Sequence, residues 1–135
     1  MIYLLDTNTC IQYINRRNSS VLQHLRTKRR SDVVICDIVK AELYYGAFKS
    51  QLIESNLEVL AEFFTELVSL PFEQEAAKIA GKVRADLQKK GTPIGPYDLQ
   101  IAAIAMANNL ILVTHNTREF SRIEELRLED WEVKV

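Results

Sequence analysis

The sequence predicts an α/β domain in which a parallel sheet is flanked by helices, and three observations predict it. Short apolar runs at residues 2–5, 33–36 and 110–113 are too brief for helices and end abruptly in polar residues, as buried strands do. Stretches with apolar residues three and four apart separate them, which is helical spacing. Strands alternating with helices in this way indicate parallel pairing. The chain has 135 residues, 47% hydrophobic and 26% charged, so it holds enough apolar material for one compact core and is not intrinsically disordered. One domain over residues 1–135 is expected.

The elements follow in order. Ile2 to Leu5 form the first strand, and Thr7 or Asn8 caps a helix carrying Ile11 and Ile14. Asn18, Ser19 and Ser20 interrupt the chain before a short helix with Val21, Leu22 and Leu25, and Arg26 to Arg30 make a basic turn. Val33 to Cys36 is the second strand, with Asp37 as N-cap of a helix carrying Val39, Leu43 and Ala47.

The fourth helix, about Gln51 to Ser69, is the most periodic segment, with Ile53, Leu57, Leu60, Phe64 and Leu67 on one stripe. Leu52, Val59 and Phe63 lie about 100° round from it, and Glu54, Glu58, Glu62 and Glu66 form a third face. Two apolar stripes exceed what one small core needs, so the second is a candidate partner surface. Leu70 to Phe72 follow as a short strand, then a helix from Glu73 to Lys90 stopped by Gly91. Pro96 opens the next helix, Leu110 to Val113 form a strand, and a last edge strand with Trp131 lies within Leu126 to Val135.

Charge and cysteine usage narrow the class. The net charge is −1, yet residues 1–50 carry +4 and residues 51–75 carry −6, which gives polarised surfaces. Cys10 and Cys36 lack metal-ligand spacing and read as buried thiols of a reducing compartment. No run approaches the roughly 20 apolar residues of a membrane span, and no secretory pattern opens the chain, so a cytoplasmic protein without membrane contact is expected.

Sites on open α/β sheets form outside the carboxyl ends of the strands. Asp6 stands at the end of the first strand and Glu119 follows the strand Leu110 to Val113, while Asp98 sits in the first turn of the helix opened by Gly95-Pro96. Glu42 lies mid-helix. Singly, each has a plain reading as a cap or a solvated acid. Together they would share one cleft, where two carboxylates about 4–5 Å apart repel by about 3–4 kcal/mol at an effective dielectric near 20. Such a set needs protonation or a hard cation, and oxygen-only ligation selects Mg²⁺ or Mn²⁺ over Zn²⁺.

Five segments in order carry a resemblance: Leu5-Asp6-Thr7-Asn8, Ala41-Glu42-Leu43-Tyr44-Tyr45-Gly46-Ala47, residues 91–99, residues 113–120, and Leu128-Glu129-Asp130-Trp131. Together they resemble the PIN-domain ribonuclease toxins of VapBC toxin–antitoxin modules. The resemblance implies a PIN-like three-layer α/β/α domain with a mainly parallel central sheet. It implies a Mg²⁺-dependent endoribonuclease toxin, with Mn²⁺ as a substitute, in which Asp6, Glu42 and Asp98 match the acidic motif positions. Many PIN domains carry Asp where this chain has Asn116, and Glu119 is placed to supply the missing carboxylate.

Asp6 and Asp98 are then the leading metal ligands, and Glu42 or Glu119 binds through water or orients the nucleophile. Thr7, Thr114 and Asn116 are the supporting hydrogen-bonders. The implied partners are RNA, with transfer RNA favoured, a VapB-type antitoxin and a second copy in a homodimer. Arg16, Arg17, Arg26, Lys28, Arg29 and Arg30 offer a basic rim for RNA, and Tyr97 is placed to stack a base. His115 has no second nucleophilic partner and reads as a turn residue. The rival class is a catalytically weak PIN domain that binds RNA or a partner without cleaving. A phosphatase of the haloacid dehalogenase type needs Asp where Asn8 stands, and a dinucleotide site needs glycines there.

Overall fold

The computed structural model describes residues 1–16 and 19–133. Five strands form one all-parallel sheet in the order β3-β2-β1-β4-β5: β1 Tyr3–Leu5, β2 Val33–Cys36, β3 Ser69–Leu70, β4 Ile111–Val113 and β5 Leu128–Glu129. Seven helices flank it in a three-layer α/β/α arrangement: α1 Thr7–Ile14, α2 Ser19–Arg26, α3 Asp37–Phe48, α4 Ile53–Glu66, α5 Gln74–Lys89, α6 Pro96–Ala107 and α7 Thr117–Phe120. Leu4, Leu5, Ile35, Leu112 and Val113 are at most 1% exposed, which is why these strands read as continuous apolar runs. Helix α6 is buried almost all round, from Leu99 through Ala105, and α5 lays Ala76, Ala80, Val83 and Leu87 into the core.

The strand order sets the position of everything that follows. The chain leaves β1 toward β2 and β3 on one side, then returns to β4 and β5 on the other. Strand β1 pairs with both β2 and β4, as Leu4↔Val34 and Leu4↔Leu112 show. The carboxyl ends of β1 and β4 therefore flank the point where the order reverses, and crevices open at such a point.

Several expectations are corrected. Asp6 caps α1 in place of Thr7 or Asn8, because the helix starts at once after β1 and the Thr9 N–H donates to Asp6 Oδ1 at 2.8 Å. Cys36 occupies the N-cap position of α3 with no side-chain bond, and Asp37 is its first residue, accepting from the Ser69 hydroxyl on β3 at 2.5 Å. Helix α4 ends at Glu66, and the strand starts one residue and ends two residues earlier than predicted, since Ser69 and Leu70 pair with Ile35 and Cys36. The buried face of α4 is Leu60 and Phe63, continued by Leu67, with Phe63 against the Tyr13 ring at 5.7 Å. Phe63 thus belongs to the core, while Ile53 is 40% exposed and Leu52 and Val59 remain outside. The last strand is only Leu128–Glu129, and Trp131 is buried beyond it between Tyr3 and the stacked His24 ring.

The charge asymmetry is offset within the chain at one end of α4. Arg30 Nη1 pairs with Glu66 Oε2 at 2.5 Å, and Arg16 lines the same shallow cleft as Glu62 and Glu66. Lys28 lies over the Tyr3 and Trp131 rings at 5.2 and 5.7 Å. The turn 26–30 leads into the start of β2, so it sits at the amino end of the sheet, away from Asp6, and does not form the expected RNA rim. Arg17 lies outside the described residues.

Three helices are followed by a residue in left-handed backbone, the first being Arg16 (φ +52°) after α1. At the end of α5, Gly91 has φ +71°, the Gly91 N–H donates to Gln88 O and the Thr92 N–H donates to Leu87 O. At the end of α6, Asn109 plays the same part with φ +56°. Gly91→Ala is expected to destabilise the protein by about 1–2 kcal/mol, the cost of placing a Cβ in left-handed backbone. Gly81→Ala, in the middle of α5 with open space around the added Cβ, should instead stabilise it by roughly 0.5–1 kcal/mol. Urea unfolding of both variants checks the pair of opposite signs.

Candidate active site

The cleft at the β1/β4 crossover has a volume of about 390 Å³ and is lined by Asp6, Thr7, Asn8, Ile11, Glu42, Asp98, Asn116 and Phe120. Three of the four acids singled out from the sequence therefore share one cavity, and the fourth braces its wall. Asp6 arrives at the end of β1, Glu42 from α3, which starts at the end of β2, and Asp98 from the first turn of α6. Pro96 at N1 fixes that turn and Gly95 is its N-cap.

Each carboxylate is held by a distinct set of bonds. Asp6 is 7% exposed and accepts from the Thr9 N–H, with the Thr9 and Thr114 hydroxyls also bonded to it. Burial raises its pKa, the three bonds oppose that rise, and the Glu42 charge adds to it. The Thr7 hydroxyl donates to Glu42 Oε1 at 2.6 Å, which leaves the other Glu42 oxygen open to the cleft. Glu119 accepts from the Gly95 N–H at 3.2 Å through Oε1 and from Asn116 Nδ2 at 3.0 Å through Oε2. Both of its oxygens are engaged, so it ties α7 to the start of α6. Thr114, fully buried, also accepts from the Asn116 N–H at 3.0 Å.

Asp98 reports the electrostatics of the whole cleft. Burial, then the charges of Glu119, Glu42 and Asp6, push its carboxyl up to about 6. Every charged group acting on it is a carboxylate. An acid in a cleft perturbed by burial and by neighbouring charges marks a candidate functional site. The donors are all hard oxygens, which fits Mg²⁺ or Mn²⁺. Among the described residues no three His, Cys, Asp or Glu side chains are gathered closely enough to hold an ion by themselves. That also fits Mg²⁺, which is usually held by one or two carboxylates and keeps several waters.

Other expected residues lie elsewhere. His115 is exposed and turned to the β5 side, its Nδ1 3.0 Å from Asp130 Oδ2, and that bond with the nearby Glu132 raises its pKa. Tyr97 is 59% exposed beside Asp98. Thr9 escaped the sequence reading, where Asn8 was read as a cap and motif residue and Gly95 as opening a helix, without a part in the site. The Asp6-x-x-Thr9 cap spacing was a readable signal for Thr9, whereas the Gly95 contact depends on α7, which read as an irregular turn.

Asp98 also sets a pH dependence. Its folded pKa of about 6 lies above the ordinary 3.8, so the stability it contributes is complete below about 4 and is lost as pH rises through 6. In chelator, Asp98→Asn is therefore expected to melt higher than the parent at pH 7 and to match it near pH 4. Thermal melts across that range check it, and Mg²⁺ at neutral pH should raise the parent's melting temperature and not the variant's.

A model of the PIN domain family matches residues 3–126. The chain is 44% identical over 131 residues to the tRNA(fMet)-specific endonuclease VapC of Salmonella typhimurium, covering 96% of this chain and 97% of that protein. It is 40% identical over 129 residues to Ribonuclease VapC2 of Haemophilus influenzae, again covering 96% and 97%. Among solved structures, that of DNA-bound VapBC from Salmonella typhimurium superposes with a TM-score of 0.91 at 42% identity, covering 97% of this chain and 98% of that one. With its sheet order, its acidic crevice and these relatives, the chain belongs to the PIN-domain family, in the VapC group.

Proposed function

We propose that this protein is a Mg²⁺-dependent endoribonuclease and the toxin of a VapBC pair, acting on transfer RNA in the cytoplasm. The observation that carries the reading is the convergence of Asp6, Glu42 and Asp98 in one crevice where the charges acting on Asp98 are all negative. The name of the Salmonella relative supports transfer RNA as the substrate class.

Asp6 and Asp98 would hold the ion. When bound it supplies Lewis-acid polarisation of the phosphodiester and charge neutralisation. Glu42, fixed by Thr7 through one oxygen, orients the attacking water through the other and receives its proton. In-line attack at phosphorus breaks the bond to the 3′ oxygen and leaves a 5′-phosphate and a 3′-hydroxyl. Glu119 is a positioning residue: by holding Gly95 and Asn116 it sets where Asp98 stands. Thr114 sets Asp6 in the same way.

The antitoxin surface adjoins the site. An apolar groove of about 330 Å³ between α1, α3 and α4 is lined by Ile11, Ile14, Leu43, Val59 and Leu60 and shares Ile11 and Glu42 with the acidic cleft. A VapB-type antitoxin would lay apolar side chains there and direct a cation toward Glu42. The exposed Tyr45, Phe48 and Leu52 at the α3–α4 corner are the surface on which two toxin copies would pair.

Asp6→Asn and Asp98→Asn are expected to lower RNA cleavage by about 100-fold or more, the scale of a lost metal or charge-stabilising group, while RNA binding persists. Chelator should abolish cleavage by the parent and Mg²⁺ or Mn²⁺ should restore it. Sequencing the 5′ ends of the fragments identifies the RNA and the cut. RNA binding by the parent without metal-dependent cleavage would favour a binding module instead. Val59→Asp, in the apolar groove, should weaken antitoxin binding by about tenfold, near the 1.4 kcal/mol that a partly buried aliphatic contact contributes, and leave cleavage by the free toxin unchanged.

A further inference from the structure

A second cleft, of about 440 Å³, runs between α5, α6 and the segment after β3, and nothing above assigns it a role. Its floor is apolar, made by Ala80, Leu87 and Leu99, and Phe72 and Pro93 give it flat exposed faces. Arg84, Gln88 and Gln100 also line it, and among the described residues their side chains make no hydrogen bond or ion pair. A volume of this size suits a small organic ligand. Flat faces beside unpaired guanidinium and amide groups are what an unstacked base requires, since it is held by stacking and read along its edge.

The groove and the acidic crevice lie on opposite sides of the first turn of α6. Pro96, Leu99 and Gln100 face the groove, Asp98 lines the crevice, and Tyr97 stands exposed between them within one helical turn. The intervening rim is fixed from outside: Arg122 Nη1 donates to Pro93 O at 2.8 Å, and Gly95 donates to Glu119. The groove offers a cation, Arg84, next to a crevice whose own charges are carboxylates.

We infer that this groove receives one unpaired nucleotide of the RNA whose scissile phosphate lies over Asp6 and Asp98, with Phe72 and Pro93 stacking its base and Arg84, Gln88 and Gln100 reading its edge. The inference rests on the ribonuclease reading of the acidic crevice. It makes the groove the source of sequence preference next to the cut, with Tyr97 supporting the strand between the two.

Two variants test it. Gly81→Leu fills the groove from α5, where an added Cβ meets nothing within 4 Å, and Arg84→Gln removes the charge at similar volume. Binding of the four 5′-mononucleotides to the metal-free protein is followed by amide NMR. Shifts are expected at Gly81, Arg84 and Ile94, with one base preferred. Affinity should fall about tenfold in Arg84→Gln, the scale of one lost stacking or charge contact, and binding should be absent in Gly81→Leu at an unchanged or higher melting temperature. Both variants should lose a similar factor in kcat/KM on transfer RNA while hydrolysing bis(p-nitrophenyl) phosphate, which is too small to reach the groove, at the parent rate. Nucleotides that fail to bind, or that bind Gly81→Leu as tightly as the parent, overturn the inference. So does a parent that self-associates through this face, shown by Gly81→Leu becoming monomeric with nucleotide affinity unchanged. If nucleotides bind in the groove but the parent cleaves no RNA, the reading of the acidic crevice fails and the groove assignment stands.

Discussion

A single buried carboxylate, Asp6, ties the sheet to the site. It ends β1, its N–H donating to Val113 O of β4 at 3.0 Å, and it caps α1 through Thr9, so one residue fixes strand, neighbouring strand and helix. The same side chain projects into the crevice that the reversal of strand order opens. Burial disfavours its charge, and the Thr9 and Thr114 donors offset that cost without supplying a cation. Structural cap and candidate ligand compete as readings of the sequence, yet the cap bond leaves the same side chain lining the crevice.

Around Asp6 the protein restrains negative charges instead of neutralising them. Thr7 holds Glu42, and Glu119 spends both oxygens on Gly95 and Asn116. Asp98 is left facing other carboxylates, and burial together with their charges raises its pKa. Elsewhere some surface charges do find partners, as Arg30 with Glu66 and Lys82 with Asp86. What sets the crevice apart is that its unpaired carboxylates are partly or wholly buried and face one another.

The parallel sheet was legible because its strands are buried on both faces and so appear as short apolar runs, and Pro96 and Gly91 marked helix ends by their own geometry. Asp6 and Asp98 were legible as acids at a strand end and a helix start, and Glu42, mid-helix, through the family motif. The facing of α4 was not, because its two apolar stripes differ by about 100° and only tertiary packing selects Phe63 over Ile53. The two-residue strands β3 and β5 carry too little pattern to fix their bounds. The basic turn 26–30 was readable as charge but not as location, since only the sheet topology puts it at the end away from Asp6.

The central claim, that residues far apart in sequence form one divalent-ion site, is tested most directly by paramagnetic Mn²⁺ and amide NMR. Substoichiometric Mn²⁺ should broaden the amides of Asp6, Thr7, Asp98 and Asn116 first, and this pattern should vanish in Asp6→Asn. Broadening centred instead on the Glu54, Glu58 and Glu62 face of α4, or unchanged by the Asp6 substitution, would contradict it.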